Sequence, residues 1–245
     1  MIGPAGATVR AIVRAEAPGN HPAGTADAVS RQTQPPHRVV IAEAGWAPDS
    51  ESLGQETWVW LLDGGVLPEP EALERLLEVA ADPGRLPAPA LLASKVVLPG
   101  GSLDALSLPT ARVRDPDDTV AAFERRLMLL RLAPRGSLLV RRSALVEVIS
   151  RRPHLDPFAD DLEWTARLLR DRPGLLVPAS VAVREAGADG SCAALARPEL
   201  ARRGRLLLGG AIELRDKPWF AFRFLEEALR SGRHSYRNRP PWLRG

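Results

Sequence analysis

One apolar run that ends in an acidic residue and two glycines constrains the fold more than any other stretch. Thr57–Leu62 is β-prone and apolar from Trp58 onward, and it is followed by Asp63, Gly64 and Gly65. Such a run is typical of a strand buried on both faces of an α/β sheet. The periodic segment Glu71–Ala81 comes next and predicts a helix. Because α/β folds bind ligands at the carboxyl ends of their strands, Asp63 is the first candidate functional residue.

The order of the neighbouring segments predicts an α/β protein with a mostly parallel sheet. Strand patterns cover Val9–Val13, His37–Ala42 and Ala90–Leu98, and a short helix is predicted between the first two, over Thr25–Gln34. Strands that alternate with helices are joined by right-handed crossovers in parallel sheets. We therefore expect helices to cover both faces of the central strand.

The second half of the chain continues this pattern. Residues 102–118 lack clear periodicity and predict an irregular loop or a short hairpin. The spacing of Val120 and Phe123 with two leucines predicts an amphipathic helix over Thr119–Leu132. Further predicted elements are a strand at Gly136–Val140, a helix capped by Ser143 and ending at Ile149, a helix at Asp161–Arg170, and short strands at Leu175–Val177 and Ser180–Val183.

Composition bounds the class of protein. The chain has 245 residues, of which 45% are hydrophobic and 26% charged, as in globular proteins. No run approaches the roughly 18 apolar residues that span a bilayer, and the N-terminus does not resemble a signal peptide. Cys192, the single cysteine, excludes an internal disulfide and fits a reducing compartment. We therefore expect a cytoplasmic protein, with the inner face of the plasma membrane as a second location.

The basic residues are almost all arginines. Only Lys95 and Lys217 are lysines among 33 basic residues, and the net charge is +3. Arginine with abundant Ala, Pro and Gly is typical of a GC-rich genome; attraction to phosphates or to an anionic membrane is the alternative. No nucleic-acid-binding motif is present, so nucleic acid is not an expected partner.

An acidic cluster begins the predicted helix at Asp161. It comprises Asp160, Asp161 and Glu163, followed by Trp164. Carboxylates at a helix N-terminus are favoured by the macrodipole, so these residues are explained as helix-start acids under one interpretation. Under the other, one carboxylate removes a proton in a reaction.

Two blocks about a hundred residues apart together resemble family 2 glycosyltransferases. Trp58–Asp63 with Pro68–Leu77 is similar to the donor-site segment of that family. Gly136–Leu145 with Phe158–Trp164 is similar to its acceptor-side block. The closest resemblance is to the rhamnosyl- and galactofuranosyltransferase-like group that builds bacterial cell-wall and surface polysaccharides, and it covers roughly residues 9–185.

This resemblance implies a GT-A fold and inverting transfer of a sugar from a nucleotide-sugar donor to a glycan or lipid-linked acceptor. It makes Asp161 the catalytic base, which takes the proton of the acceptor hydroxyl. It also implies Mg²⁺ or Mn²⁺ held by an Asp-x-Asp motif against the diphosphate. The remaining implied site residues are Asp160, Glu163 and Trp164 on the acceptor side, and Glu43, Asp63, Gly64, Gly65 and Arg184 on the donor side.

The donor side departs from the family pattern at three places. The acidic triplet has a single carboxylate, Asp63; Arg184 replaces a metal-binding histidine; and Glu43 lies one place beyond the expected nucleobase-binding aspartate. One interpretation is a non-catalytic binding or partner subunit with a decayed donor site. In the other, the Arg184 guanidinium replaces the metal and pairs with the diphosphate, which makes transfer metal-independent.

We divide the chain into a GT-A-like domain at residues 1–190 and a helical C-terminal extension at 191–245. The extension interleaves arginines with Trp219, Phe220, Phe222 and Phe224. Such a pattern suits a helix lying in the membrane interface, which predicts peripheral membrane contact. The alternative is a helix packed on the core or on a second subunit.

Overall fold

A computed structural model describes most of the first 185 residues. The described residues are 7–15, 22–43, 46, 51–104, 107–112, 116–151 and 161–185. They belong to the first of two units into which the chain divides, Met1–Ala188 and Asp189–Gly245. Asp160 and the predicted extension at 191–245 lie outside the described residues, so the predictions made for them, including the domain boundary at 190, stay predictions.

The described elements alternate strands and helices. The strands are β1 (Val9–Arg14), β2 (Arg38–Ala42), β3 (Trp58–Asp63), β4 (Val66–Pro68), β5 (Leu91–Val97), β6 (Thr110–Ala111), β7 (Met128–Leu132), β8 (Ser137–Arg141) and β9 (Gly174–Arg184). The helices are α1 (Pro22–Ser30), α2 (Ala72–Ala81), α3 (Pro116–Glu124), α4 (Arg142–Arg151) and α5 (Asp161–Asp171). Each of these helices is too short or too polar to span a lipid bilayer. The predictions for β1, β2, β3, β5, β8, α2 and α5 are confirmed.

The described strands form a mixed sheet in the order β2-β1-β3-β8-β5-β9-β7-β6, with β4 paired to β9. β1 runs parallel to β2 and β3, and β5 runs parallel to β9. The other pairings are antiparallel, including both sides of β8. The prediction of a mostly parallel sheet is therefore wrong. A strand buried on both faces is continuously apolar whichever way it runs, so the apolar pattern of β8 does not reveal its direction.

β3 lies inside the sheet and packs against both helical layers. Trp58 and Trp60 belong to the core cluster on the α2 face, and Val59 and Leu61 belong to the cluster that includes α4 and α5 side chains. Trp58 is 3% exposed and Trp60 fully buried. Because successive strand residues point to opposite faces, the five apolar residues of β3 cover both layers at once. Both tryptophans therefore pack in the core.

The predicted helix at Thr119–Leu132 is wrong in its second half. α3 ends at Glu124, Arg126 adopts a left-handed φ of 56°, and Met128–Leu132 is the strand β7, paired with β6 and β9. Val120 and Phe123, which the spacing placed on a buried face, are 57% and 81% exposed. Met and Leu favour helices, but the backbone hydrogen bonds offered by β9 outweigh that weak preference.

The structure also differs from three smaller predictions. β9 is one continuous strand instead of two, with a register irregularity opposite Ser94 and Lys95. α4 begins at Arg142, so Ser143 lies within the helix and is not its cap. β4 was not predicted, and β6 and the start of α3 at Pro116 lie in residues 102–118, which were predicted as an irregular loop or a short hairpin. These strands are only three and two residues long, too short to show a period of two.

A chain of buried hydroxyls crosses four neighbouring strands. Ser137 Oγ lies 3.0 Å from the Trp60 indole nitrogen and 2.7 Å from Ser94 Oγ, which lies 2.8 Å from Ser180 Oγ. Ser180 donates to the carbonyl oxygen of Ala72 at 2.9 Å, so Ser94 donates to Ser180 and Ser137 donates to Ser94. Each hydroxyl thus gives one hydrogen bond and accepts one. A fully satisfied buried network of this kind specifies how β3, β8, β5, β9 and α2 fit together.

Ser94→Ala is expected to destabilise the fold, because it leaves the Ser137 hydroxyl without an acceptor and Ser180 without its donor. Each buried group left unsatisfied costs about 1–3 kcal/mol. Urea unfolding followed by circular dichroism measures the loss. Ser30→Ala is the matched control, since the Ser30 hydroxyl is exposed and bonds only within α1, to the Ala26 carbonyl. Equal stabilities of the two variants would contradict the role of the network.

Candidate functional site

The parallel strands bring the predicted donor residues to one edge. In the register of β1 with β2 and β3, Arg14 lies opposite both Ala42 and Asp63. Glu43, which is exposed, directly follows Ala42. Glu43 and Asp63 therefore end strands that flank β1 at the same sheet edge, about 10 Å apart across two strand spacings. Arg14 lies between them and was not predicted as a site residue.

Asp63 and Arg184 meet in a buried ionic cluster that also contains Asp104 and Ser107. Arg184 Nε donates to Asp104 Oδ2 at 2.8 Å, and Nη2 donates to Ser107 Oγ at 3.0 Å and to Asp63 Oδ2 at 3.3 Å. Ser107 in turn donates to Asp104 Oδ2 at 2.7 Å. The cluster joins β3, β9 and the loop after β5. It brings together two residues predicted from sequence and two that were not.

The burial of the cluster makes its charge balance important. Asp63 is fully buried, and Arg184 and Asp104 are 2% and 4% exposed. Burial by itself lowers the pKa of the Arg184 guanidinium, but the charges of Asp63 and Asp104 outweigh it and raise that pKa above its already high ordinary value. Arg184 is therefore a permanent cation between two carboxylates.

Arg135 links this cluster to the predicted catalytic base. Its Nε lies 3.6 Å from Asp63 Oδ2, and its backbone N–H donates to Asp161 Oδ2 at 2.6 Å. The other oxygen of Asp161 accepts from the backbone N–H of Leu162 at 2.8 Å. Asp161 is 1% exposed at the start of α5. The structure thus places the two blocks that resembled glycosyltransferases, near Asp63 and near Asp161, on either side of one residue.

Asp63 keeps one oxygen without a partner. Its backbone N–H donates to the Gly136 carbonyl, and its Oδ2 faces Arg184 and Arg135. Its Oδ1 is buried and accepts no hydrogen bond from the described residues. A buried carboxylate oxygen normally has a partner, so Oδ1 is an exception among the described residues.

Two of the remaining acceptor-side residues have other contacts in this structure. Glu163 forms a partly exposed ion pair with Arg167, one turn further along α5, with Nη2 and Oε1 2.8 Å apart. Trp164 is fully buried and belongs to the core cluster beneath α5. Trp164 therefore anchors the helix that carries Asp161, and Glu163 lies on its partly exposed side.

Gly64 and Gly65 form the tight turn between β3 and β4. The Gly64 N–H donates to the Arg14 carbonyl at 2.9 Å, and the Gly65 N–H donates to Thr25 Oγ1 at 3.0 Å. Gly65 has a φ of 78°, which favours glycine. Both amides are already hydrogen-bonded within the chain. The geometry therefore favours a plain turn at Gly64 and Gly65 over a backbone cradle that binds a sugar phosphate.

Gly64→Ala is expected to destabilise the protein, because the added Cβ would lie 2.6 Å from the Arg14 carbonyl oxygen. Backbone has to move to relieve that contact, and overpacking of this kind costs about 1–3 kcal/mol. Gly24→Ala is the control, since a Cβ in α1 at Gly24 meets only Leu67 at 3.9 Å and alanine favours helix. Thermal unfolding compares the two; a Gly64→Ala variant as stable as Gly24→Ala would contradict the close approach.

The described residues do not fit a divalent metal in the way the family resemblance implies. Among them, no group of three or more His, Cys, Asp or Glu side chains could hold a metal ion. The two carboxylates that converge, Asp63 and Asp104, are bridged by the Arg184 guanidinium. The place that a cation would take between them is filled by a cationic side chain.

Asp104, Ser107 and Arg135 are the cluster residues that sequence reasoning missed. Asp104 and Ser107 lie beyond β5, in a segment of weak periodicity that was predicted to be irregular. Arg135 directly precedes the glycine that opens the predicted strand of β8. No local motif distinguishes them.

A separate open cleft of about 900 Å³ lies at the opposite end of β1 and β2. Its walls include Thr8, Arg10, His37 and Glu56. Arg10 is 8% exposed and pairs with Glu56 through Nε and Oε2, 3.1 Å apart. Desolvation raises the pKa of Glu56, but hydrogen bonds from the backbone and Arg10 outweigh it and hold that pKa below its usual value. This cleft is not at the Asp63 edge.

Comparison with known proteins finds likeness to solved structures but no match in sequence. No protein-family model and no curated protein sequence matches the chain. The solved structure of GalNAc-T7 with UDP, GalNAc and Mn²⁺ is similar to it with a TM-score of 0.46 and 10% identity. The match covers 74% of this chain and 43% of the GalNAc-T7 chain. This chain therefore spans less than half the length of GalNAc-T7. Similarity at this level does not assign a family or an activity, and the GT-A fold stays a prediction beyond the mixed α/β sheet described above.

Proposed function

We propose that this chain is an inverting glycosyltransferase that moves a sugar from a nucleotide-sugar donor to a cell-envelope polysaccharide or lipid-linked acceptor. The observation that carries the proposal is the position of Arg135, which contacts Asp63 through its side chain and Asp161 through its backbone. The sequence resemblance assigned these aspartates to donor binding and to proton abstraction. Transfer requires both functions within reach of one bound sugar, and the two contacts of Arg135 support that arrangement.

In this proposal Asp161 accepts the proton of the acceptor hydroxyl as that oxygen attacks the anomeric carbon. The oxygens of Asp161 accept backbone N–H bonds, which orient the carboxylate toward the Arg135 loop. Glu163, on the half-exposed side of α5, and Asp160 contact the acceptor. Trp164 holds α5 in the core.

The donor nucleotide lies along the edge that carries Glu43 and Asp63. Arg135, whose side chain is partly exposed, supplies the positive charge that faces the diphosphate, because the leaving group develops negative charge as the glycosidic bond breaks. Arg184 is buried behind it and fixes the donor side by balancing the charges of Asp63 and Asp104. In relation to location, we propose a cytoplasmic protein whose C-terminal extension contacts the inner face of the membrane, where lipid-linked acceptors are held.

Calorimetric titration with UDP, GDP and dTDP tests the donor site. One of them should bind, and Arg135→Ala should weaken that binding at least tenfold through loss of a charge-assisted contact, about 1.5–3 kcal/mol. Arg38→Ala, which removes an exposed arginine lining the cleft at the opposite sheet edge, is the control and should bind normally. Failure of all three nucleotides to bind would overturn the proposal.

A non-catalytic binding subunit is the second candidate, and the burial of Asp161 favours it. Asp161 is 1% exposed, and both of its oxygens accept hydrogen bonds from backbone amides. A carboxylate in that state acts as a structural acceptor at the start of a helix. Nucleotide binding without hydrolysis or transfer of the bound sugar, for every acceptor extract tried, would support this candidate against the enzyme.

A further inference from the structure

Three oxygen atoms from separate parts of the chain converge on one guanidinium. Asp104 Oδ2 accepts from Arg184 Nε, while Asp63 Oδ2 and Ser107 Oγ both accept from Nη2. We propose that these oxygens form a cation site whose resident cation is Arg184, and that the guanidinium keeps divalent metal ions out of it. In this proposal the Arg184 side chain takes the place of a metal ion, and the oxygens of Asp63, Asp104 and Ser107 remain as potential metal ligands.

The first argument is charge. Two carboxylates with exposures of 0% and 4% require compensation, since an unpaired buried charge is strongly unfavourable. Arg184 contacts both, and Arg135 adds a second positive charge 3.6 Å from Asp63. Two negative charges are then balanced by two positive ones. A divalent cation added beside Arg184 would bring two surplus positive charges into a buried site.

The second argument is the kind of ligand atom. Carboxylate and hydroxyl oxygens are donors that Mg²⁺, Mn²⁺ and Ca²⁺ prefer. Asp63 Oδ1, buried and without a hydrogen-bond partner among the described residues, is a fourth oxygen at the same place. Once the guanidinium is removed, Asp63, Asp104 and Ser107 therefore present an oxygen set that suits a hard divalent cation.

The third argument concerns the broken acidic motif after β3. Asp63 is followed by two glycines, so the second carboxylate is missing from the local sequence. Asp104 supplies it from the loop after β5, and Ser107 orients it through a 2.7 Å hydrogen bond. The pair of carboxylates thus exists in space without an Asp-x-Asp motif, and Arg184 occupies the position between them.

Thermal unfolding of the full chain, after treatment with EDTA and with Mn²⁺, Mg²⁺ or Ca²⁺ then added at millimolar concentration, tests the proposal. The wild type should show no saturable shift in Tm. Arg184→Ala should unfold at a lower temperature, and one of these ions should raise its Tm by roughly 5 °C or more in a saturable manner. Adding Asp104→Asn to Arg184→Ala should abolish that response, because one carboxylate cannot replace two.

Arg10→Ala is the matched control. It also removes a buried arginine from an ion pair, but the described pair leaves one carboxylate behind, that of Glu56. Its Tm should fall and should not respond to divalent ions. Should Arg184→Ala fail to fold in metal-free buffer, recovery of folded protein on adding the ion is the same test, and Arg184→His, which offers an imidazole ligand to Mn²⁺, repeats it.

Saturable stabilisation of the wild type by a divalent ion would overturn the proposal, as would the absence of any ion response in both Arg184→Ala and Arg184→His. No nucleotide or sugar enters this experiment. Its failure is therefore distinguishable from failure of the proposed function, which depends on binding of a nucleoside diphosphate.

Discussion

Replacing Arg184 by methionine is expected to lower the free energy of unfolding by about 3–5 kcal/mol. The reason is that the change removes the shared partner of Asp63 and Asp104, both buried, and leaves two negative charges in a site closed to water. Methionine keeps much of the apolar volume of the arginine stem, so the loss reports charge more than packing. Urea unfolding in the absence of divalent ions measures the change.

The matched comparison is the variant Arg184→Met/Asp63→Asn/Asp104→Asn. It removes the positive charge and both negative charges together, so it should be clearly more stable than Arg184→Met alone. If the single variant were the more stable of the two, the cluster would be held by packing and not by charge.

The pH dependence of the Arg184 contribution follows from the raised pKa of its guanidinium. A group whose pKa is higher in the folded state stabilises fully below its ordinary pKa and loses that effect as the pH rises through the folded value. Both values lie in strongly alkaline solution, so this contribution should be constant from neutral pH to about pH 10. Arg184→Lys should lose stability as the pH approaches about 10, where lysine gives up its proton.

Asp161→Asn is expected to lower the rate of sugar transfer by about 10²–10⁴-fold, because an amide cannot accept the proton of the acceptor hydroxyl. Nucleotide binding should be retained, since Asp161 lies beyond Arg135 from the donor-side cluster. Single-turnover transfer with saturating donor measures the chemical step, and calorimetry measures donor binding.

Glu163→Gln is the control for Asp161→Asn. It lies on the same turn of α5 and removes a carboxylate whose described partner is the half-exposed Arg167. Its effect on the rate should be much smaller. In Asp161→Asn, the side chain keeps one acceptor oxygen for two backbone N–H groups, those of Arg135 and Leu162. Folding of the Asp161→Asn variant must therefore be verified by circular dichroism. Equal activity of Asp161→Asn and the wild type would exclude Asp161 as the base.

The parts of the fold that were predicted correctly are those whose local pattern permits one structure. The apolar run of β3 and its two tryptophans had to be buried on both faces, and α5 combines acidic residues at its start with strong apolar periodicity. The local pattern of Thr119–Leu132, in contrast, permits more than one secondary structure. Its residues suit either a helix or a strand, and pairing of Met128 and Leu129 with β9 decided between them.

The candidate site divides in the same way. Asp63 was predicted from its position at the end of an apolar strand, and Asp161 and Arg184 were predicted from the family resemblance. Asp104, Ser107 and Arg135 could not be found, since what makes them part of the site is contact with residues far away in the chain. Nothing in their immediate neighbours records those contacts.

The sequence by itself determined that β3 is a buried central strand and that its end carries a lone carboxylate where the family resemblance implies two. The tertiary structure decided that a second carboxylate, Asp104, reaches the same place and that Arg184 lies between the two. The physical reason is that strand burial depends on local hydrophobicity, which sequence records directly. The charge balance of a buried site depends on which distant side chains share it, and only folding brings those together.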